Sequence, residues 1–320
     1  IYTSDLDFAN NASTFNKKLP SKQKIEKYFI KRTHVWFSAF LFFVNPGMYK
    51  QMMNDEIDII HAIGVRSFQA FIAAIVSRQK KIPLVISDQG GLTTHPDLKK
   101  SSFIKRSLIK LQSPLIRFII KQATKVIVAN EYEKNIFKIF CNESKIVIVK
   151  NGIDLNELYS SKSNFIEKYS IEKKFILFLG RFHEVKGVDT LLESIKSIKN
   201  NLLVNGIIFV IMGVDFGYQN QIKKIIKDYD LSEKIRLIEK PPRSDVISAY
   251  EQCEFLVLPS KWELSPLTPL EGFAFKKTLV STTAHGIPFT IKHDENCILV
   301  DPENPEQLST AILDLLQNKE

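Results

Sequence analysis

The sequence predicts an α/β protein built as two doubly wound parallel-sheet domains that face an interdomain cleft, and three observations carry this. Short apolar, β-branched runs alternate with helical stretches along most of the chain. The runs are apolar throughout rather than alternating with polar residues, as parallel strands covered on both faces require. At 320 residues and 44% hydrophobic, the chain is also too long for one comfortable core.

In the first half the strands are "DIIH" (58–61), "PLVIS" (83–87), "KVIVAN" (125–130) and "KIVIVK" (145–150). A rise in polarity with the Asn151-Gly152 turn, in "VKNGIDLNELYSSKSN" (149–164), marks the boundary, giving domains 1–150 and 151–320. The same beat resumes in "FILFLG" (175–180), "IIFVIMG" (207–213), "IRLIE" (235–239), "FLVLP" (255–259) and "TLVST" (278–282), each read as buried on both faces. After Gly187, Asp189 is positioned to cap a helix whose apolar face is Leu191, Leu192, Ile195 and Ile198. Near the end Asn304 reads as an N-cap, with Pro305 at the first helical position and Gln307 as a capping-box partner. The aromatic run "VWFSAFLFFV" (35–44) is about half the roughly 20 residues a membrane-spanning helix needs. It is expected to pack as a helix rather than to form an aromatic platform for a ligand.

The net charge of +9 is unevenly spread: 24 basic and 11 acidic residues fall in 1–150, against 20 and 24 in the remainder. Within 99–125 there are eight basic residues and no acid. Two readings fit. Phe103, Ile104, Leu108, Leu111, Leu115, Phe118 and Ile119 recur near helical spacing, so a basic amphipathic helix pair broken near Pro114 suits an anionic membrane surface. Alternatively, the same pattern is a solvated basic face over a core stripe. Nucleic acid is not expected, since no helix-turn-helix, zinc-finger or RNP pattern occurs. Cys141, Cys253 and Cys297 are far apart and have no ligand spacing, which points to a reducing cytoplasm and no metal site.

Two constellations carry chemistry. In "FLGRFHEVKGVDTLL" (178–192) a strand ending at Gly180 delivers Arg181 to the carboxyl edge of a sheet, with Lys186 five residues on, a pair that suits a phosphate or diphosphate. A solvated turn before a helix is the plain alternative. In "LPSKWELSPLTPLEGFAFKKTLVST" (258–282), Glu263 stands in a loop after a strand and Glu271 just inside a helix. Thr268, Pro269 and Glu271 look like N-cap, N1 and N3, so Glu271 also reads as a capping-box carboxylate. Carboxylates beside a helix start can accept hydroxyl hydrogen bonds while free N–H groups meet phosphate or sugar oxygens, a combination suited to a nucleotide sugar.

"GRFHEVKG", "ELSPLTPLE" and "TAHGIPFTIKHDENCILVDPENPEQLSTAILDLL", with "VKNGID" and "EIDIIHAIG", resemble in order and spacing the family 4 glycosyltransferases of the GT-B fold, the glycosyl transferases group 1. The resemblance implies two Rossmann-like domains, an N-terminal acceptor side and a C-terminal nucleotide-sugar side. It implies a retaining transferase that moves a sugar from a nucleotide-diphosphate donor to a polysaccharide, glycolipid or lipid-linked acceptor at the cytoplasmic membrane face, without a metal. Arg181 and Lys186 would hold the diphosphate, Glu263 would lie beside the donor sugar and Glu271 would bind the ribose. Leu264, Ser265, Pro266, Leu267 and Thr268 would line sugar and phosphate, with Gly180 and Gly213 at turns near the nucleotide.

Departures from the pattern motivate an alternative, a weak or inactive scaffold binding nucleotide sugar or membrane. The family's first strand with its Gly-rich turn and its terminal cross-over helix are expected to be lacking. Where the family often has His-Gly, this chain reads Gln89-Gly90, with His95 a candidate substitute on the acceptor side, and Lys276 replaces a usual Gly. Gln89 cannot act as a base near neutral pH.

Overall fold

The computed structural model describes residues 1–6, 15–39, 42–88, 90, 92, 112–160 and 163–317. The chain divides into two compact units, Ile1–Val149 and Lys150–Glu320.

The first unit opens with β1 (Tyr2–Ser4), β2 (Lys22–Ile25) and β3 (Tyr28–Thr33), forming a three-stranded sheet in which β3 is central, parallel to β1 and antiparallel to β2. An antiparallel ribbon of β4 (Phe37–Ala39) and β5 (Phe42–Val44) follows. Six described residues of the aromatic run, Phe37–Ala39 and Phe42–Val44, are therefore strand, not helix. Its rings favour a pleated surface, and β4 begins beside a Trp36 that is 75% exposed. After α1 (Gly47–Asn54) the described residues form β6 (Ile60–Ile63), α2 (Phe68–Lys80), β7 (Leu84–Ser87), α3 (Ser113–Gln122), β8 (Lys125–Val128), α4 (Glu131–Phe137) and β9 (Ile146–Ile148). The four strands pair in parallel in the order β6-β7-β8-β9. Their core gathers Leu84, Ile86, Val126 and Val128 with Ala70, Ala74 and Val76 of α2 and Ile116, Ile119 and Ile120 of α3.

That last contact bears on the basic segment. The apolar side of α3 packs into the core, with Leu115 and Phe118 against it, while Arg117 and Lys121 stay exposed. From 112 onward the segment is a solvated basic face over a core stripe. The remainder, 99–111, lies outside the described residues. Among the described residues no helix is long and apolar enough to cross a membrane.

The second unit contains α5 (Leu155–Ser160), α6 (Phe165–Lys168), β10 (Lys174–Leu179), α7 (Val188–Ile198), β11 (Ile207–Gly213), α8 (Gln219–Asp228), β12 (Ile235–Glu239), α9 (Arg243–Gln252), β13 (Leu256–Leu258), α10 (Thr268–Ala274), β14 (Leu279–Thr282), β15 (Cys297–Val300) and α11 (Pro305–Gln317). All six strands are parallel, in the order β12-β11-β10-β13-β14-β15. Alternate residues separate two cores. Ile176, Phe178, Phe209, Ile211 and Val257 meet Leu191, Leu192 and Ile195 of α7 and Leu308 and Ile312 of α11. Phe175, Leu177, Val210, Met212 and Leu256 meet Phe165, Val246, Ala249 and Tyr250 on the other side. Each of the Val, Leu, Ile, Phe and Met side chains among them contributes about 1.5–3 kcal/mol on burial.

Three expectations need correction. β12 sits at the sheet edge, so Arg236 and Glu239 are exposed rather than buried on both faces. Gly187, not Asp189, is the N-cap of α7, and the Asp189 carboxylate reaches Lys261 Nζ at 2.6 Å. Asn304 does cap the last helix through the Gln307 N–H (3.0 Å), but the Gln307 side chain turns back to Asp301 instead of completing a capping box.

Lys276 follows the C-cap of α10 with φ 57°, while the Lys277 N–H closes onto Gly272 O at 3.0 Å. This is a left-handed helix stop, in which a side chain costs about 1–2 kcal/mol. Lys276→Gly is expected to raise stability by about 0.5–1 kcal/mol after the extra chain entropy of glycine is subtracted, read as a higher midpoint in urea unfolding.

Candidate active site at the switch point of the second sheet

From β10 the strand order runs one way through β11 to β12 and the other way through β13 to β15. The order thus reverses between β10 and β13, where the segments leaving the carboxyl ends of two neighbouring strands diverge and leave room for a ligand. The segment after β10 is Gly180–Gly187, and the one after β13 is Pro259–Leu267.

These two segments are stitched together through backbone. The Lys261 N–H donates to Val185 O at 2.8 Å, and Trp262 N–H to the same oxygen at 3.3 Å. Gly187 adopts φ 68° directly beneath Pro259, so closely that a Cβ there would stand 1.9 Å from the Pro259 carbonyl oxygen. Only glycine meets both conditions. A second close approach braces the far end: Gly286 N–H donates to Glu263 O at 3.0 Å, and a Cβ on Gly286 would stand 1.8 Å from Leu264 O. Asn151 Nδ2 donates to Ser265 O at 2.9 Å, tying the start of the second unit to the same segment.

The result is a contact between Lys186 and Glu263, whose ammonium and carboxylate pair directly with side chains only 12% and 14% exposed. Arg181 takes a different position. Beyond β10 and β11 the ladder continues through Phe182 N–H to Val214 O (2.8 Å) and Phe216 N–H to Phe182 O (3.0 Å), and the exposed Arg181 guanidinium lies 5.1 Å from the Phe216 ring centroid. Gly180 and Gly213 sit side by side at these strand ends, with the Gly180 carbonyl against Gly213. Asp215 caps the turn into α8, accepting the N–H groups of Gly217, Tyr218 and Gln219 at 2.9–3.0 Å. Burial alone would raise its pKa, but these amides hold it below the ordinary carboxylate value.

Glu271 is held by another set. Its Oε1 accepts Arg243 Nη2 at 2.6 Å and its Oε2 accepts Tyr250 Oη at 2.8 Å, while Arg243 Nε also reaches Glu157 at 2.9 Å. The helix begins one residue earlier than expected, with Leu267 as N-cap and no side-chain cap, so Glu271 is not a capping-box carboxylate. Burial, and then the charge of Glu271, drive the Tyr250 hydroxyl far above its ordinary pKa, so it stays a donor. Each carboxylate oxygen keeps a lone pair for a further hydroxyl.

Among the described residues, Gly180, Arg181, Lys186, Gly213, Glu263, Leu264, Ser265, Pro266, Leu267, Thr268 and Glu271 all lie on segments at the carboxyl ends of β10, β11 and β13. Gly90 has φ 94° after β7; Gln89 and His95 lie outside the described residues. His61 lies within β6, its Nε2 2.6 Å from Ser87 Oγ. Asn151 is legible in the sequence only as part of a turn, and Gly286 carries no signal of its contact with the Glu263 segment. Arg243 and Tyr250 carried no local signal.

The model of the glycosyl transferases group 1 matches residues 161–320, half of the chain, and that of glycosyltransferase family 4 matches 16–157. The chain belongs to the group 1 glycosyltransferases. An uncharacterized glycosyltransferase of Methanocaldococcus jannaschii is 27% identical over 272 residues, covering 83% of this chain and 68% of the relative. An Escherichia coli UDP-Gal:alpha-D-GlcNAc-diphosphoundecaprenol alpha-1,3-galactosyltransferase is 23% identical, covering 85% and 70%. Sucrose-phosphate synthase of Thermosynechococcus elongatus superposes with a TM-score of 0.73 at 15% identity, covering 99% of this chain and 79% of that one. Anabaena HepE in complex with UDP-glucose gives 0.70 at 16%, covering 91% and 76%. These likenesses establish the GT-B fold for this glycosyltransferase.

Gly187→Ala is expected to destabilise the second unit by about 2–4 kcal/mol, combining left-handed strain with overpacking. Thermal unfolding reads the loss. Gly152→Ala, which meets open space, should leave the midpoint nearly unchanged.

Proposed function

We propose that the protein is a retaining glycosyltransferase that moves a sugar from a nucleotide-diphosphate donor, most simply a UDP-hexose, to a lipid-linked, glycolipid or polysaccharide acceptor at the cytoplasmic face of the cell membrane. The observation that carries this reading is the switch-point constellation: Lys186 fixed against Glu263 of the neighbouring segment, with the exposed Arg181 on the same segment as Lys186. Relatives' names favour uridine and a lipid-linked acceptor, since one acts from UDP-Gal on a diphosphoundecaprenol and another is complexed with UDP-glucose. The first unit also contains an apolar cavity of 780 Å³, lined among others by Met48, Met52, Ile60 and Ala73, which suits a hydrocarbon chain.

In this reading the bond from the anomeric carbon to the diphosphate breaks, the acceptor oxygen enters on the same face, and its proton passes to the departing phosphate oxygen. Negative charge grows on the diphosphate. Arg181 and Lys186 neutralise it, favouring the transition state over the ground state without a metal. Glu263 keeps the ammonium oriented before the donor arrives and accepts a sugar hydroxyl afterwards. Glu271, fixed by Arg243 and Tyr250, accepts the ribose hydroxyls. Retaining hydrolases need two carboxylates about 5 Å apart across the bond. Here Glu263 and Glu271 are engaged with different partners, which supports transfer without a covalent intermediate.

Arg181→Ala and Lys186→Ala are each expected to lower turnover about 10²–10³-fold, the usual loss of one fixed charge stabiliser. Nucleoside diphosphate release from UDP-, GDP- and ADP-sugars measures this, and NMR of the product's anomeric proton checks retention. Near-normal turnover of Arg181→Ala would sink the mechanism. Tyr250→Phe frees one oxygen of Glu271 and should raise KM for the donor several-fold with a smaller change in kcat; an unchanged KM would remove Glu271 from ribose binding.

A further inference from the structure

The β2–β3 hairpin presents a second feature that donor chemistry does not use. Its pairing is Lys22↔Lys31, Gln23↔Ile30, Lys24↔Phe29 and Ile25↔Tyr28, closed by Glu26 and Lys27, with Glu26 at φ 50°. All six residues from Lys24 to Phe29 are exposed, and Tyr28 and Phe29 expose 59% and 64% of their surface. From Phe15 to Ala39 the sequence carries seven basic residues, Lys17, Lys18, Lys22, Lys24, Lys27, Lys31 and Arg32, against Glu26 as its one acid. Lys31 is engaged with Asp55, and Lys24 Nζ lies 5.5 Å from the Phe29 ring centroid.

Lysines on an edge strand are a common defence against pairing with another sheet. That accounts for Lys22 and Lys24 on β2, which is an edge. It does not account for Ile25, Tyr28 and Phe29 standing in water at the tip, where polar residues would serve the same purpose. Aromatic rings interleaved with lysines on a projecting element fit the boundary between lipid headgroups and acyl chains, where rings lodge at headgroup level and ammonium groups meet anionic lipid. Adjacent residues of a strand point to opposite faces, so Phe29 lies with Lys24 on one face and Tyr28 with Ile25 on the other. A stacking platform for single-stranded nucleic acid needs its rings on one face. A bilayer surface surrounds the tip and meets both.

We infer that the β2–β3 hairpin is an interfacial anchor whose tip, Lys24 to Phe29, docks on an anionic lipid bilayer. The apolar side of α3 is committed to the core, so the hairpin supplies an apolar contact that the described part of the 99–125 segment does not. The inference stands on the protein's own surface and holds whether or not the acceptor is lipid-linked.

The test is flotation of the full chain with vesicles of mixed phosphatidylcholine and phosphatidylglycerol and with phosphatidylcholine alone. Binding is expected only to the mixed vesicles. Tyr28→Ser/Phe29→Ser and Lys24→Glu/Lys27→Glu should each lower partitioning about tenfold or more, with thermal midpoint and nucleoside diphosphate release unchanged. Phe29→Trp should be quenched by brominated lipid on binding. Equal binding by both double variants, no quenching, or no preference for anionic vesicles overturns the inference. Loss of binding through Lys121→Glu on α3 but not through the hairpin variants also overturns it, while leaving the proposed transferase untouched. Retained vesicle binding with lost binding to a single-stranded oligonucleotide or glycan would assign the hairpin to those ligands instead.

Discussion

The second unit depends on one close approach of backbone to backbone. Gly187 lies under the carbonyl of Pro259, and Val185 O accepts two N–H groups from the segment that follows Pro259. These contacts, not the charges, bring Lys186 to Glu263. An ammonium and a carboxylate largely withdrawn from water lose hydration worth several kcal/mol each, and their mutual attraction roughly returns it. The pair is therefore a poor driver of loop conformation. Neutral amide hydrogen bonds and a glycine without a side chain fix the two segments, and the ion pair occupies the geometry they leave. Such a pair is available to be reorganised by an anion, because little folding energy rests on it.

The two glutamates show how environment divides like residues. Glu263 sits in an irregular segment with one cation as partner; Glu271 sits on a helix, with a guanidinium on one oxygen and a buried phenol on the other. The first can exchange its partner when a ligand arrives. The second is locked in orientation from two sides, and Arg243 is itself restrained by Glu157. In the proposed reading, Glu271 recognises a fixed diol and benefits from the lock, since ordering it on binding would cost rotamer entropy. In the same proposed reading, Glu263 stands beside the reacting centre and benefits from exchange.

Much of this fold is legible in the sequence because parallel strands buried on both faces write themselves as apolar runs. "IIFVIMG" is β11 from end to end, and Leu191, Leu192, Ile195 and Ile198 are buried as the helical period predicts. Legibility fails where the signal is shared or distant. "VWFSAFLFFV" is apolar at every spacing, so it has no period to separate helix from strand, and the aromatic preference for strands decides. β12 reads like its neighbours because edge position is a property of the sheet, not of the strand. Asp189 has the chemistry of a cap, yet Lys261, 72 residues away, offers a charged partner and takes it. The candidate site reads from the sequence as Arg181, Lys186, Glu263 and Glu271; the residues that hold the two glutamates, Gly286, Arg243 and Tyr250, act across 23, 28 and 21 residues of chain, a distance no local pattern spans.

Among the described residues of the first unit, two physically different surfaces carry part of its excess of positive charge. On α3, Arg117 and Lys121 project from a helix whose apolar side the core has already consumed, so attraction to an anionic surface there is electrostatic alone and is weakened by salt within a Debye length of about 8–10 Å. On the hairpin, lysines and rings share the same few residues, so electrostatic approach and apolar insertion reinforce each other. A long-range term that orients and a short-range term that retains are what reversible attachment to a surface requires, because either alone gives weak or unselective binding. Placing both on a short hairpin rather than on a core helix leaves the sheet β6-β7-β8-β9 free of the strain of insertion.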